Sequence, residues 1–392
     1  MSLLTLALAL GSLPAVGAEL QTEREEGFGV RLSQSVRWDD NVFRLPDGER
    51  PPDGGSKSDR ISRSALGLTF EHIYSLQRLV ASFDVVRRSY DEHDELDSTT
   101  RSGLARWDWA TGKQWTGTAA LLQREAPRSF DDVDRRVLSI NTLQRAVFNA
   151  DYWLHPDWSV LAGVESTRSR YSDDRSASSE YDETAFEAGV GFRPKSGSRL
   201  SLVLRQADGE YPNRTATATR DPEYTQRDLR LRGDWVLSGI SKLSGYIGYT
   251  DREYSTISSL DFSGPSGRVV FDWQPTGKLG FQVVARREIG SEYEVLDNYV
   301  LTRGIGVEAA WAATSKVTLI ARADRLRRDH GDTTLSSLGE DRLRTYGLIV
   351  DYRPLDTVTL SASAVRTKHD ADDASGFDYD ANVYGVDLKL EF

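Results

Sequence analysis

The stretch Gly27-Phe28-Gly29-Val30-Arg31-Leu32-Ser33-Gln34-Ser35-Val36-Arg37-Trp38 sets a period that recurs along most of the chain. Phe28, Val30, Leu32, Val36 and Trp38 share one parity, and Arg31, Ser33, Ser35 and Arg37 take the other. Apolar residues two apart, rather than three or four, describe a β-strand with one apolar face, because successive side chains leave opposite faces of an extended backbone. The alternation returns in Leu66/Leu68/Phe70, Trp115/Gly117/Ala119/Leu121 and Phe186/Ala188/Val190/Phe192. It returns again in Leu279/Phe281/Val283/Ala285, Val317/Leu319/Ala321 and Val358/Leu360/Ala362.

Two kinds of breaker separate these segments, and they alternate. Short ones fall at Tyr74–Arg78, Thr111–Gln114, His155–Asp157, Pro194–Ser198, Leu237–Ser241, Gln274–Lys278, Ala312–Lys316 and Arg353–Asp356. Several carry Gly or Pro, as hairpin turns require. Between them lie longer polar stretches, the largest at Asp39–Arg60, Gln206–Glu223 and Leu326–Asp341. Short turns on one rim and long loops on the other predict an all-β, transmembrane, antiparallel up-and-down β-barrel of about 18 strands over residues 19–392. An even strand number puts both ends on the short-turn rim.

Composition agrees with this reading and excludes others. Hydrophobic residues make up 39% of the 392 and charged ones 28%. The only long apolar run is Met1–Ala18. It reads as a signal peptide, with Leu3–Leu10 as its apolar stretch and Val16-Gly17-Ala18 before a cut ahead of Glu19. A buried N-terminal helix is the alternative. Without cysteine the chain has no disulfide, thiolate metal site or thiol catalysis. A net charge of -11 with no basic block argues against nucleic acid as a partner. The acidic runs Asp91–Asp97, Asp131–Asp134, Asp173–Asp174 and Asp370–Asp373 read as solvated loops.

Nine Trp and sixteen Tyr accompany a single Met. Trp109, Trp115, Trp153, Trp158, Trp235, Trp273 and Trp311 flank short turns. Tyr90, Phe130, Tyr171, Tyr181, Tyr211, Tyr224, Tyr254 and Tyr299 lie near long loops and are expected to form the opposite girdle. Two aromatic belts around an apolar band describe a barrel in the outer membrane of a Gram-negative bacterium, surrounded by lipid and lipopolysaccharide. A propeller shares the forty-residue period, but the repeat is one of spacing and lacks a recurring residue signature. The final strand, with Tyr384, Val386, Leu388, Leu390 and Phe392, resembles the signal read by the barrel assembly machinery.

If the apolar parity faces lipid, the other faces the lumen. That assigns inward Arg31, Arg37, Arg106, Arg145, Arg205, Arg230, Arg232, Arg268, Arg286 and Arg322. It also turns inward Glu71, Asp84, Asp108, Asp151, Glu165, Glu187, Asp228, Asp234, Asp272, Glu288, Glu308 and Asp324. Pairing across the wall is the plain role for most of them. The arginines also offer a track for an anionic substrate, since a guanidinium presents a planar fork to carboxylates. Barrels of 16–18 strands leave an aqueous channel, so a solute path is expected. The first long loop, with Pro46, Pro51 and Pro52, is the expected constriction or lid. His72, His93, His155, His330 and His369 stand in no hydrolase or metalloprotease motif, so no enzyme, metal or cofactor is expected.

Trp38-Asp39-Asp40-Asn41-Val42-Phe43-Arg44 closes the first strand. Through Asp39, Asp40, Asn41, Phe43 and Arg44 it resembles the exopolysaccharide-biosynthesis outer-membrane barrels of exosortase-type gene clusters, within the wider group of β-barrel porins. The chain length, the lack of a separate periplasmic domain and the terminal Phe392 fit that family too. The resemblance implies a conduit for a secreted polysaccharide, working with periplasmic export components, and supplies no catalytic residue. A small-solute porin is the alternative within transport. A structural or adhesive barrel whose acidic loops, such as Asp39-Asp40-Asn41 and Asp370–Asp373, bind Ca²⁺ is the alternative outside it, and an outer-membrane hydrolase ranks last.

Overall fold

The computed structural model describes residues 26–51, 54–130, 136–217, 220–290, 299–330, 340–371 and 378–392. The segment read as a signal peptide, Pro52, and the acidic run at 131–134 lie outside them. Eighteen strands follow one another. The first six are β1 (Gly27–Asp39), β2 (Asp59–Tyr74), β3 (Gln77–Tyr90), β4 (Ser98–Thr111), β5 (Trp115–Pro127) and β6 (Ile140–His155). Then come β7 (Trp158–Tyr171), β8 (Tyr181–Phe192), β9 (Arg199–Glu210), β10 (Glu223–Ser238), β11 (Ser241–Tyr254) and β12 (Phe262–Trp273). The last are β13 (Leu279–Gly290), β14 (Val300–Ala312), β15 (Val317–His330), β16 (Glu340–Leu355), β17 (Val358–Ala371) and β18 (Tyr379–Glu391).

Each strand pairs antiparallel with its neighbours in sequence, and β18 pairs with β1. At that seam Val30 N–H donates to the Phe392 carbonyl at 3.0 Å and Phe392 N–H donates to the Val30 carbonyl at 2.9 Å. Closure satisfies every edge, which hydrocarbon demands because it offers backbone groups no other partner. All eight expected short turns are present. One of the two-residue turns joins Tyr74 to Gln77 through Ser75, which takes a left-handed φ of 57° without being glycine.

Register fixes which way each side chain points, because directly paired residues share a face. The Leu, Val, Ile and Phe parity is the outer one: Phe186 is 60% exposed, Leu204 65% and Leu348 64%. In water such a band would be costly; against acyl chains it is the expected wall.

Three sequence expectations change. The polar stretches at Gln206–Glu223 and Leu326–Asp341 are shorter as loops, because β9 runs to Glu210, β15 to His330, and β16 begins at Glu340. Strands extend past the bilayer there, so both faces are polar and alternation in hydrophobicity fades while the ladder continues. Trp153 points inward and is buried, its Nε1 donating to Thr116 Oγ1 at 2.9 Å, whereas Trp115, Trp158, Trp235, Trp273 and Trp311 face outward. The expected second girdle is also not on the lipid side. Tyr90, Tyr171, Tyr181, Tyr224 and Tyr254 share the inward parity, and Tyr211, Phe130 and Tyr299 pack with inward clusters. The lipid-facing aromatics nearest the loop rim include Trp38, Tyr249, Tyr346 and Tyr384.

Those inward aromatics tie long loops to the wall. One cluster joins Val42, Phe43 and Leu45 of the first loop to Leu96, with Ile61, Tyr90 and Phe130 beside them. The other joins Tyr181, Tyr211, Tyr224 and Tyr254 to Leu260. The two loops that carry Leu96 and Leu260 share a residue pattern: Tyr90-Asp91-Glu92-His93-Asp94-Glu95-Leu96-Asp97 and Tyr254-Ser255-Thr256-Ile257-Ser258-Ser259-Leu260-Asp261. Each makes one short 3-10 turn, Asp94–Leu96 or Ser258–Leu260. In each the final carboxylate accepts from the opening Tyr N–H, at 2.7 Å for Asp97 and 2.8 Å for Asp261. A carboxylate from the preceding hairpin then holds the loop down. Asp59 accepts from the N–H of Asp91, Glu92 and His93, and Asp221 from those of Thr256 and Ile257.

Candidate functional site

All ten arginines read as luminal share the inward face by register. Arg31 meets Asp84 at 2.5 Å, Arg106 meets Asp108 at 2.8 Å and Arg322 meets Asp324 at 2.7 Å. Arg232 meets Glu187 at 2.8 Å, while Arg145–Glu165 at 3.9 Å and Arg268–Glu288 at 4.0 Å are looser. Arg286 lies directly opposite Arg268. The Arg31–Asp84 pair spans β2 over Gly67, where an added Cβ would fall 2.6 Å from the Asp84 carboxylate.

The wall of β7–β11 is a closed charge network. Arg205 reaches Glu183 at 2.6 Å, Asp228 at 3.5 Å and Glu165 at 3.7 Å, with its side chain only 8% exposed. Arg230 contacts Asp228 at 3.0 Å. Tyr224 lies against Gly209, which has no Cβ to obstruct the ring, and donates to Glu183 at 2.7 Å. The Arg252 guanidinium stacks 4.1 Å from that ring, and its Nε donates to Gln226, the residue opposite, at 3.0 Å. Burying this many charges is tolerable because arginines and carboxylates are set against one another and most of them are hydrogen-bonded.

The wall of β1–β3 differs. Arg63 lies directly opposite Arg88, and Arg37 faces inward one row nearer the loops. Among the described residues none of the three forms an ion pair; Arg88 donates to Thr100 Oγ1 at 3.1 Å. The carboxylate in the same row, Asp387, is two strands from Arg63, across Ser35. Ser35 is buried, and its hydroxyl has no partner among the described residues. All three arginines are half-buried. The luminal set read from the sequence omits Arg63 and Arg88, although each has the parity of a recognised inward acid, Glu71 for Arg63 and Asp84 for Arg88.

Toward the short-turn rim a cavity of about 410 Å³ is lined by Arg78, Arg106, Asp108, Asn149, Asp151 and Arg199 among others. Its arginines are paired: Arg78 with Glu71 at 2.7 Å and Arg199 with Asp151 at 2.7 Å. The positive excess is therefore at the loop end.

The stretch 39–44 anchors the first loop. Asn41 Nδ2 donates to the Leu45 and Asp380 carbonyls at 2.8 and 3.0 Å, and its Oδ1 accepts from Leu45 N–H at 2.8 Å. Asp39 accepts from Arg44 at 2.8 Å and from Asn41 N–H at 3.0 Å, while Asp40 accepts from both nitrogens of Asn382. Arg44, at φ 55°, also donates to the Asn41 carbonyl, and Phe43 is buried against the His93 and Phe130 rings. Both carboxylates are spent on this knot, which takes from the Ca²⁺ alternative its first ligand set. Of the other run, Asp370 is held by Arg344 and Lys368 at 3.2 and 3.3 Å; Asp372 and Asp373 lie outside the described residues. Tyr384, Leu388, Leu390 and Phe392 all face outward, on the seam strand or just beyond it.

Two loop carboxylates are held below the usual carboxylate range. For Asp221, burial opposes ionisation, but the Ser255 hydroxyl and three backbone N–H donors outweigh it. For Asp173, burial is likewise outweighed by Ser139 and Ser176 and by two backbone N–H groups.

Residues 214–392, which hold β10–β18, match the family model described as "Putative beta-barrel porin 2". Among solved structures, the chain resembles the outer membrane protein OpdK from Pseudomonas aeruginosa (TM-score 0.49, 10% identity, 93% of this chain and 99% of that one). Similar values hold for OccAB3 from Acinetobacter baumannii and a BenF-like porin from Pseudomonas fluorescens. Each has a TM-score of 0.48, 10% identity and the same coverage. No curated protein sequence matches the chain.

Proposed function

We propose that this outer-membrane barrel is a porin for small solutes that favours anions, with Arg37, Arg63 and Arg88 as its attracting element. The observation that carries this reading is the missing counter-charge. Elsewhere most of the inward arginines named above meet a carboxylate on their own or a neighbouring strand, with Arg268 and Arg286 also set opposite each other. Here two guanidinium groups face each other with no acid between them. Like charges opposite one another cost stability. A solute carboxylate or phosphate entering from the loop side would relieve that cost with a fork-shaped, charge-assisted hydrogen bond. A field of one sign in a low-dielectric passage also raises local counter-ion concentration.

Polysaccharide export is the weaker reading. It rests on the resemblance at Asp39–Arg44, and those side chains are occupied in fixing the first loop to Asp380 and Asn382. The loop clusters, which lean on inward residues of β2, β3 and β8–β11, favour a solute over a polymer.

Zero-current potentials across planar bilayers under a KCl gradient test the proposal. The native protein is expected to be anion-selective, and R37Q/R63Q/R88Q to lose that preference while keeping its conductance. Cation selectivity in the native channel, or unchanged selectivity in the triple variant, would overturn it.

A further inference from the structure

The outer face also carries an unbalanced charge, separate from the lumen. On β13–β17 the outward column of each strand is apolar for four positions above the short turn, for example Val358, Leu360, Ala362 and Ala364. At the fifth position every one of these strands turns cationic: Arg287, Arg303, Arg325, Arg344 and Arg366. Eight residues of strand at ~3.3 Å each, tilted by ~40°, put this row ~20 Å above the short-turn edge of the apolar band, at its loop-side boundary. Arg327, Arg342 and Lys368 form a second tier beyond it.

Register makes the crowding severe. Arg303 is opposite both Arg287 and Arg327, Arg327 is opposite Arg342, and Arg344 is opposite both Arg325 and Lys368. Among the described residues, the carboxylates on this face of the five strands are Asp329, Glu340 and Asp370 at the outer tier; Asp329 meets Arg303 at 3.5 Å and Asp370 meets Arg344 at 3.2 Å, which leaves three acids for eight cations. Arg325 is exposed and has no ion-pair partner among the described residues. The neighbouring wall, β8–β12, is the reverse at the same height. There the outward charges are Asp182, Asp208, Glu210, Glu223, Asp251 and Glu253 against Arg227. The cationic face is thus a local feature and not a ring.

We infer that the outer face of β13–β17 is a binding site for a phosphorylated glycolipid of the outer leaflet. Its phosphates would bridge Arg303, Arg325 and Arg344, and its acyl chains would lie on the apolar column below. The occupant must be both anionic and amphiphilic, because the guanidinium row stands directly on a lipid-facing band. Ala309, Ala321, Ala323 and Ala362 keep that band shallow there, between the taller Ile305 and Leu348. An anion shared between opposed arginines removes the repulsion that their register otherwise imposes.

The test uses the full-length barrel in phosphatidylcholine nanodiscs doped with a bisphosphorylated diglucosamine glycolipid or its dephosphorylated counterpart. Native mass spectrometry reads what stays bound, with soluble inorganic phosphate as a third arm. The bisphosphorylated lipid is expected to be retained, and R303E/R325E/R344E to weaken it by about tenfold or more. Dephosphorylated lipid and free phosphate are expected to bind poorly. Equal retention of both lipids, equal binding of free phosphate, or indifference to the reversal would overturn the site. If the triple variant does not fold, R325Q carries the same expectation with a smaller loss. Because the chain has no cysteine, Ala323→Cys gives a single thiol on this face. Efficient barrel-to-barrel crosslinking through it would assign the face to a second copy and also overturn the proposal.

Discussion

The inner walls of β1–β4 and β9–β12 are built on one plan and end in opposite electrostatic states. Both carry a Tyr-x5-Leu-Asp loop, an inward Tyr that opens it, and a carboxylate from the preceding hairpin that holds it down. Both place an arginine two residues before that Tyr, Arg88 in one and Arg252 in the other. The difference lies in the residue opposite. Gln226 accepts from Arg252 and passes the contact on to Asp228; Arg63 offers Arg88 only a second positive charge. One position thus separates a wall section whose arginine is met by an amide from one whose arginine is met by another arginine.

Four experiments bear on this contrast. The largest effect is expected from Arg205→Ala, which strands Glu183 in the matched wall and leaves Asp228 to Arg230 alone. Leaving buried charges uncompensated costs about 3–5 kcal/mol, read as a lower urea midpoint of unfolding, with ion selectivity unchanged. A comparable loss from Arg88→Ala would erase the distinction between the walls. Next is Gly209→Ala. Its Cβ would lie 2.3 Å from the Tyr224 ring, so the ring must move away from Glu183. We expect a loss of about 1–3 kcal/mol by the same assay. Third, Arg63→Gln copies the β10 solution into β2. Removing the opposed like charge should raise stability by about 0.5–1 kcal/mol, while anion preference falls in bilayer recordings. A destabilised variant would show that Arg63 is paired in a way the register hides.

The smallest effect concerns pH. The Asp221 carboxyl titrates below its unfolded value, so its contribution is complete above about pH 4. It is lost as pH falls through the depressed folded value. The protection factors of the Thr256 and Ile257 amides, with intrinsic exchange divided out, should fall over that acid range and stay flat from pH 5 to 8. Loss of protection already at pH 6 would mean that another group holds the loop.

Much of this is legible in the sequence. Eight short turns, the strand number and the inward parity of all ten arginines follow from period-two alternation. The misplaced aromatics come from neglecting that same rule. Tyr224 has the parity of Asp228, Tyr254 that of Arg252, and Trp153 that of Asp151. Nearness to a loop suggests a lipid-facing ring, yet parity already places these rings inside. The shared loop pattern is also in plain view, but spread over two segments whose strands give no cue to align them. What no single strand discloses is stagger. Whether Arg63 meets Arg88 or a carboxylate depends on a register that a shift of two residues would change without altering any face. The same holds for the cationic rows on β13–β17, which become opposed only once neighbouring strands are set side by side.

The seam between β1 and β18 has a kinetic corollary. Residues 30 and 392 are bonded neighbours in the finished wall but stand at nearly opposite ends of the described chain. No local folding step can bring them together, and the entropy of closing so long a loop must be met before their hydrogen bonds form. Until that encounter the partly built wall has two open edges, each able to recruit a strand from another molecule. Closure of this barrel is therefore the slow and vulnerable event, and helper proteins that shelter two free edges would matter most just before it.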